Sequence, residues 1–351
     1  MIVQLAAIIE QYQCAFRSRY ASRLLPGHRN AIGAMLRCRT PDSGQMLLHC
    51  SQCTEQFWHP QSCGHRSCPK CQNHEASQWL DRQQAKLLPV EYFMVTFTLP
   101  RELRILAWRH QTTLYKLLFA TVVSTLKDFG RNPKQLGADM GMTAVLHTHS
   151  RRLDYHPHVH VIVPGGGVNK TTRQWKKTRG KYLFNQHALA TVFRARLLAA
   201  IKAAGLALPA RLPDQWVVDC KHVGTGKPAL KYLSRYLYRG VIREQDIVTN
   251  HNGKVTFKYI DNNTGQTRYR TLKGADFLWL VLQHVLPKGF RRVRDYGFLH
   301  GNARQLLALI QLTLKVLISI KPARPRPLFR CPKCQSAMRI VRFIRPAWAP
   351  G

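Results

Sequence analysis

The chain has 351 residues, and its 54 Lys and Arg against 17 Asp and Glu give a formal net charge of +37 with His neutral. A hydrophobic content of 45% is that of a packed body of about two or three domains at ~100–200 residues each, so the charge does not come from a disordered basic tail. No run reaches the ~18 apolar residues of a bilayer span. The opening segment lacks the basic stretch of a secretory leader, and the surplus charge points to a polyanionic partner, nucleic acid ahead of an anionic membrane surface.

In chain order, residues 1–85 hold most of the cysteines and read as a zinc-binding domain. Residues 92–99 are β-branched and aromatic and end at Pro100, which predicts a strand. Apolar residues then recur at helical spacing over 102–129, and Gly130 ends that helix. Residues 142–150 and 158–163 read as two strands joined by a polar turn. A helix over 187–204, a strand over 215–222 and a helix over 229–239 follow. This order predicts an α+β fold, an antiparallel sheet with helices on one face. Residues 86–245 would form that domain. Residues 246–351 would form a basic C-terminal region, opened by a hairpin of 254–260 and 267–271 around Asn262-Asn263-Thr264-Gly265.

Six of the ten cysteines lie between 38 and 71. Without a sign of export, paired C-x-x-C steps read as metal knuckles in a reducing cytoplasm, not as a disulfide framework. Cys50-x2-Cys53 and Cys68-Pro-Lys-Cys71 form two such knuckles, which together offer four thiolates to one tetrahedral Zn²⁺. Cys38 and Cys63 are left over and can form a second site or substitute in the first. Cys331-Pro-Lys-Cys334 is half a site, with no second pair in the C-terminal region.

Residues 156–160 read His-Pro-His-Val-His. On a strand, His158 and His160 face the same side and suit a divalent cation. The preceding strand carries His147 and His149 at the same alternate spacing. In a hairpin either of these can complete a three-ligand site that leaves positions open for substrate oxygens. One such histidine would ordinarily be a core or surface residue; five within fourteen positions favour a metal.

Farther on, Lys231-Tyr-Leu-Ser-Arg-Tyr-Leu-Tyr-Arg239 lies on a predicted helix. Tyr232 and Tyr236 are i and i+4 and share a face, close to Arg235 and Arg239. Phenols flanked by guanidinium groups suit phosphate chemistry, although such aromatic pairs are more often core. Two basic stretches complete the pattern. Residues 170–181 hold six Lys and Arg, including Lys176, Lys177 and Arg179, around Trp175, the make-up of a single-strand groove. Residues 287–351 hold fourteen Lys and Arg against Asp295 alone, which suits sequence-independent phosphate contacts.

Taken together, these motifs resemble the HUH endonucleases, most closely the two-tyrosine rolling-circle transposases of bacterial insertion sequences, the type numbered ninety-one. Cys38-Arg-Thr, Cys63 and Cys68-Pro-Lys-Cys71-Gln resemble that family's N-terminal zinc-binding domain. Phe97-Thr-Leu-Pro100, His156-Pro-His-Val-His160, Val163-Pro-Gly-Gly-Gly167 and Tyr232-Leu-Ser-Arg-Tyr236 resemble its transposase domain. Ser67 stands where members commonly carry His, which speaks against a ligand role for that position, and His149 stands where they commonly carry Trp, which favours His147 as the third ligand. The resemblance implies Tyr232 and Tyr236 as nucleophiles, with Mg²⁺ or Mn²⁺ at His158, His160 and His147. Structural Zn²⁺ would sit at the cysteines. It also implies a cytoplasmic, nucleoid-associated enzyme that cuts and transfers single-stranded DNA at element ends through a 5′-phosphotyrosine. An HUH replication initiator or relaxase, or a non-catalytic zinc-containing nucleic-acid-binding protein, are the alternatives.

Overall fold

The computed structural model describes residues 2–71, 73–237, 240–261, 264–317 and 328–345, with backbone alone at 235–237. Two helices open the chain, α1 (Leu5–Tyr20) and α2 (Pro26–Arg37), followed by strands β1 (Gln45–Cys50) and β2 (Gln56–Pro60) and helix α3 (Asn73–Gln84). Then come β3 (Tyr92–Thr98), α4 (Arg104–Arg109), α5 (Gln111–Arg131), β4 (Met142–His149), β5 (Tyr155–Pro164), β6 (Gly166–Val168) and β7 (Trp175–Lys177). The order continues with α6 (Gln186–Ala203), β8 (Val218–His222), α7 (Lys227–Leu237), β9 (Ile247–His251), β10 (Lys254–Ile260) and β11 (Thr267–Lys273). Helix α8 (Gly274–Leu282), β12 (Val293–Tyr296), α9 (Arg304–Thr313) and β13 (Met338–Ile344) complete the set. The fold is α+β, and its strands pair antiparallel.

The central sheet runs β12-β4-β5-β3-β8. Period-two alternation divides its faces. Val159, Val161 and Val163 of β5, with Ala144 and Leu146 of β4, are buried against Leu118, Phe119 and Val122 of α5 and Phe193 and Leu197 of α6. This is the expected helical layer. The opposite face carries Val145 and Ile162, which meet Leu230 and Leu233 of α7 and Trp79 of α3. Helix α7 therefore lies across the face to which the even-numbered residues of β5 point.

The division of the sequence into three consecutive parts is not kept in space. The apolar side of α1 (Leu5, Ile8, Ile9, Phe16) shares one core with Val255 and Phe257 of β10 and with Phe277, Leu278 and Val281 of α8. Gly274 is required there, because a Cβ would sit 2.3 Å from the Tyr12 ring. Strand β12 completes the central sheet at its β4 edge, and β13 pairs with β1. Helix α3 packs on α7, so it belongs with the central sheet and not with the cysteine region. The basic C-terminal region is thus distributed among all four cores. Strands β10 and β11 pair as the expected hairpin, although Asn262 and Asn263 of its turn lie outside the described residues, and β9 joins it as a third strand.

Leu233, fully buried between α7 and the sheet, tests this arrangement. Leu233→Ala should cost about 2–5 kcal/mol, as large core truncations do, and should lower the thermal unfolding midpoint of the full chain. Val217→Ala, at an exposed position, should stay within about 0.5 kcal/mol of the parent.

Candidate metal and tyrosine site

The pairing of β4 with β5 sets His147 opposite His158, and the pairing of β3 with β5 sets Thr96 opposite His160. His147, His158 and His160 consequently converge, their ligand atoms all within 4.8 Å of one another. His158 donates from Nδ1 to the His156 carbonyl oxygen at 2.7 Å. The Nδ1 of His160 is 2.8 Å from the Thr96 hydroxyl. With Nδ1 engaged, Nε2 is left to face a cation, the usual way a second hydrogen bond orients a metal-binding imidazole. Burial pushes His158 down to about 4 and His160 down to about 3. It holds His147 well below the ordinary histidine value too, with the neighbouring His160 and His158 adding to the effect. All three imidazoles are therefore neutral at physiological pH, the state that offers a lone pair.

The other two histidines of the cluster stand apart. The register slips between His147 and His149, and the His149 ring packs 5.2 Å from that of His284. Arg104 of α4 donates to His156 Nδ1. Neither belongs to the converging set.

Helix α7 brings Tyr232 over this group, its ring centroid 6.2 Å from that of His160 and perpendicular to it. Leu230 and Leu233 are buried on the sheet on either side of it in sequence. Gly226, at φ +74°, starts the helix; a Cβ there would sit 2.6 Å from the Tyr92 ring. Tyr236 lies one turn farther along the same helix. The side chains of Arg235 and Tyr236, and the whole of Tyr238 and Arg239, lie outside the described residues.

Two neighbours of the histidines were not singled out in the sequence. Thr96 positions His160; its only signal was the alternation Thr96, Thr98 within an otherwise apolar strand. Asp219 of β8 pairs with Thr96 from the other side and so shares the histidine face. Lys221 holds its carboxylate at 2.9 Å.

The cysteines form two clusters, and neither is the expected set of Cys50, Cys53, Cys68 and Cys71. The turn ahead of α3 places Cys68 and Cys71 beside Cys38, at the end of α2, and Cys63. The Sγ of Cys71 is 3.4 Å from that of Cys38 and 3.6 Å from that of Cys63. Cys50 and Cys53, at the tip of the β1–β2 hairpin, instead meet Cys331 and Cys334. The cause is the pairing of β1 with β13, which carries the second knuckle to the first. In a tetrahedral zinc site with Zn–S near 2.3 Å, sulfurs are about 3.8 Å apart, so both clusters fit one ion each. In the first cluster the neighbouring thiols, Cys63 foremost, draw Cys38 down to about 7, and Cys38 and its neighbours hold Cys71 well below the usual thiol range.

The basic segment 170–181 supplies the turn after β6, strand β7 and the residues that follow it, with Lys176, Lys177 and Arg179 exposed. Its aromatic residue is not free for stacking: the Trp175 ring covers Gly166 and packs on Phe298 at 5.7 Å.

Comparison with known proteins agrees in sequence. A family model described as "Transposase zinc-binding domain" matches residues 8–99, and one described as "Putative transposase" matches residues 141–306. The chain is 32% identical over 326 residues to "Putative transposase y4qJ" of Sinorhizobium fredii, across 86% of this chain and 81% of that protein. It is 28% identical over 334 residues to the transposase for insertion sequence element IS801 of Pseudomonas savastanoi pv. phaseolicola, across 89% of this chain and 79% of that one. Among solved structures, the metal-bound conjugative relaxase TrwC with oriT DNA matches at a TM-score of 0.30 and 16% identity, over 65% of this chain and 74% of that chain. That likeness is too loose to equate individual residues.

The Thr96–His160 contact gives a direct test. Thr96→Val keeps the shape and removes the hydroxyl, and should weaken Mn²⁺ binding measured by calorimetry by about 10–100-fold, as loss of such an orienting partner does. His158→Ala should abolish the binding, whereas His149→Ala should leave it within about twofold if the ion sits among His147, His158 and His160.

Proposed function

Because the chain belongs to the family of two-tyrosine insertion-sequence transposases with an N-terminal transposase zinc-binding domain, we propose that it cuts and transfers single-stranded DNA at the ends of such an element through a 5′-phosphotyrosine. The observation that carries this reading is the placement of Tyr232 6.2 Å, ring to ring, from the converging histidines. A tyrosine packed in a core for its own sake would have no reason to face three neutral imidazoles.

The chemistry follows from the groups in place. The tyrosine oxygen attacks the scissile phosphorus, a P–O bond to tyrosine forms, and the bond to the 3′ oxygen breaks. The phenolic proton is lost and the departing alkoxide gains one, leaving a free 3′-OH. Attack by a 3′-OH on the phosphotyrosine reverses the exchange and joins the strands, so one ester replaces another and no nucleotide triphosphate is needed. At a reference pKa near 10, only ~10⁻³ of a tyrosine is ionised at pH 7, so the site must favour the phenolate or the leaving oxygen. A Mg²⁺ or Mn²⁺ at His147, His158 and His160 would supply that by polarising and orienting the phosphate. The protein's part is to hold three imidazoles neutral and convergent, and to hang α7 above them by Leu230 and Leu233. Tyr236, one turn on, would act as the second nucleophile, so that two cut strands are held at once. Arg235 and Arg239 would neutralise phosphate charge beside it.

The cluster of Cys38, Cys63, Cys68 and Cys71 lies inside the segment matched by the zinc-binding family, and we assign it a structural Zn²⁺. Ser67 and Pro69 of its knuckle abut Gly240, where a Cβ would sit 2.7 Å from the Ser67 carbonyl oxygen. The ion would therefore also brace the backbone just past α7. The exposed charges of β7 and its flanks, Lys176, Lys177 and Arg179, would guide the strand. The enzyme would work on DNA in the bacterial cytoplasm.

The deciding experiment uses a 3′-labelled single-stranded oligonucleotide bearing an element end, with Mn²⁺ and a denaturing gel. The label should move with the protein, and the adduct should vanish in Tyr232→Phe/Tyr236→Phe. Absence of any adduct on cognate ends would refute the reading in favour of a non-catalytic DNA-binding protein. Replacing Lys176, Lys177 and Arg179 together by Ala should reduce the slope of log affinity against log salt by roughly 2, at about 0.7 per lost single-strand phosphate contact. Arg235→Ala should impair cleavage more than binding.

A further inference from the structure

We infer that Cys50, Cys53, Cys331 and Cys334 hold a second structural Zn²⁺, one that closes the two ends of the chain on each other. Cys331 and Cys334 lie outside both segments matched by the transposase families. The argument rests on three observations.

The sulfurs are spaced for one shared ion. Cys50 lies 3.5 Å from Cys334, Cys53 lies 3.5 Å from Cys331, and Cys53 lies 3.6 Å from Cys334. Each sulfur of one knuckle thus meets the other knuckle, as four corners of a small tetrahedron do, at close to the spacing set by Zn–S bonds.

The two knuckles are the same structure built twice. The Cys50 N–H donates to the Glu55 carbonyl oxygen at 2.9 Å, and the Thr54 N–H returns to the Cys50 carbonyl oxygen at 3.0 Å. The Cys331 N–H donates to the Ser336 carbonyl oxygen at 2.9 Å, and the Gln335 N–H returns to the Cys331 carbonyl oxygen at 2.9 Å. The residue after each pair takes a left-handed conformation, Thr54 at φ 59° and Gln335 at φ 60°. Neither is glycine, so both turns carry the same local cost. Two stretches 281 residues apart adopt one strained turn and face each other. Lys333 of one knuckle pairs with Glu55 of the other.

The module around them is too small to hold itself together. Its buried apolar residues are Leu48, Cys50, Cys331 and Met338, flanked by Met46, Cys53, Phe57 and Phe329. Beyond Met338, β13 leaves Ile340, Val341, Phe343 and Ile344 exposed. A three-stranded sheet with so little interior ordinarily depends on a metal. The ion is assigned as zinc because four thiolates in tetrahedral array suit a cation with no geometric preference of its own.

The test measures bound metal in the full chain after desalting, in a His158→Ala/His160→Ala background so that the histidine site does not contribute. Two zinc ions per chain are expected. Cys331→Ser/Cys334→Ser should keep one, and Cys38→Ser/Cys63→Ser should also keep one. Cys334→His should keep both, since imidazole can replace thiolate at zinc, and this separates lost ligation from lost folding. A background protein holding a single zinc, a Cys331→Ser/Cys334→Ser variant still holding two, or iron in place of zinc would overturn the assignment.

Discussion

The alternation of side chains along β5 fixes the candidate site, because the same ten-residue strand supplies both a core and a face of converging histidines. Val159, Val161 and Val163 are buried against α5 and α6, and this leaves His158 and His160 no choice but the other side. A slip of one residue would drive two imidazoles into a core of Phe119, Val122 and Phe193 and put three valines where the histidines now converge. The hydrophobic effect thus sets the angular position of the histidines far more firmly than any hydrogen bond among them. Hydrogen bonds to the His156 carbonyl and to Thr96 then decide which ring nitrogen faces outward. Burial completes the arrangement by keeping the rings neutral.

How much of this is legible in the sequence depends on distance along the chain. The strands at 92–98 and 142–149, the long helices and the face shared by His158 and His160 all follow from local periodicity, and the structure has them. The alternation in His147, His149 and the 156–160 run also brings the right elements together. It does not show the bulge after His147, since a register slip is set by pairing and not by composition. The cysteines mark the limit more sharply. Cys68 and Cys71 look like partners of Cys50 and Cys53 by spacing alone. Their actual neighbours depend on the packing of α2 and on a strand nearly three hundred residues away. Asp219 was silent for the same reason, as only its pairing with Thr96 brings it to the histidines.

The charge of +37 is likewise organised by pairing and packing, not by position along the chain. The C-terminal third does not form a separate basic arm. Its strands complete the central sheet and the small cysteine sheet, and Arg294 lies over the Phe119 ring at 4.3 Å. Lys86 and Asp295 form a 2.6 Å ion pair that ties α3 to β12. Cations serve as structure where an acid or an aromatic ring meets them, and elsewhere many stay exposed to solvent. The hairpin of β6 and β7 shows the same economy: its tryptophan is used for packing while its lysines remain in water.

The pairing of β1 with β13 also imposes an order on synthesis. At about 5–20 residues per second, a ribosome needs from about fifteen seconds to a minute to travel from the first knuckle to the last. During that interval β1 and β2 form at most a two-stranded hairpin, and Cys50 and Cys53 lack the two sulfurs that meet them in the finished fold. Chains terminated before β13 would carry that open edge permanently. The fold thereby makes its first sheet a reporter of whether β13 has been made.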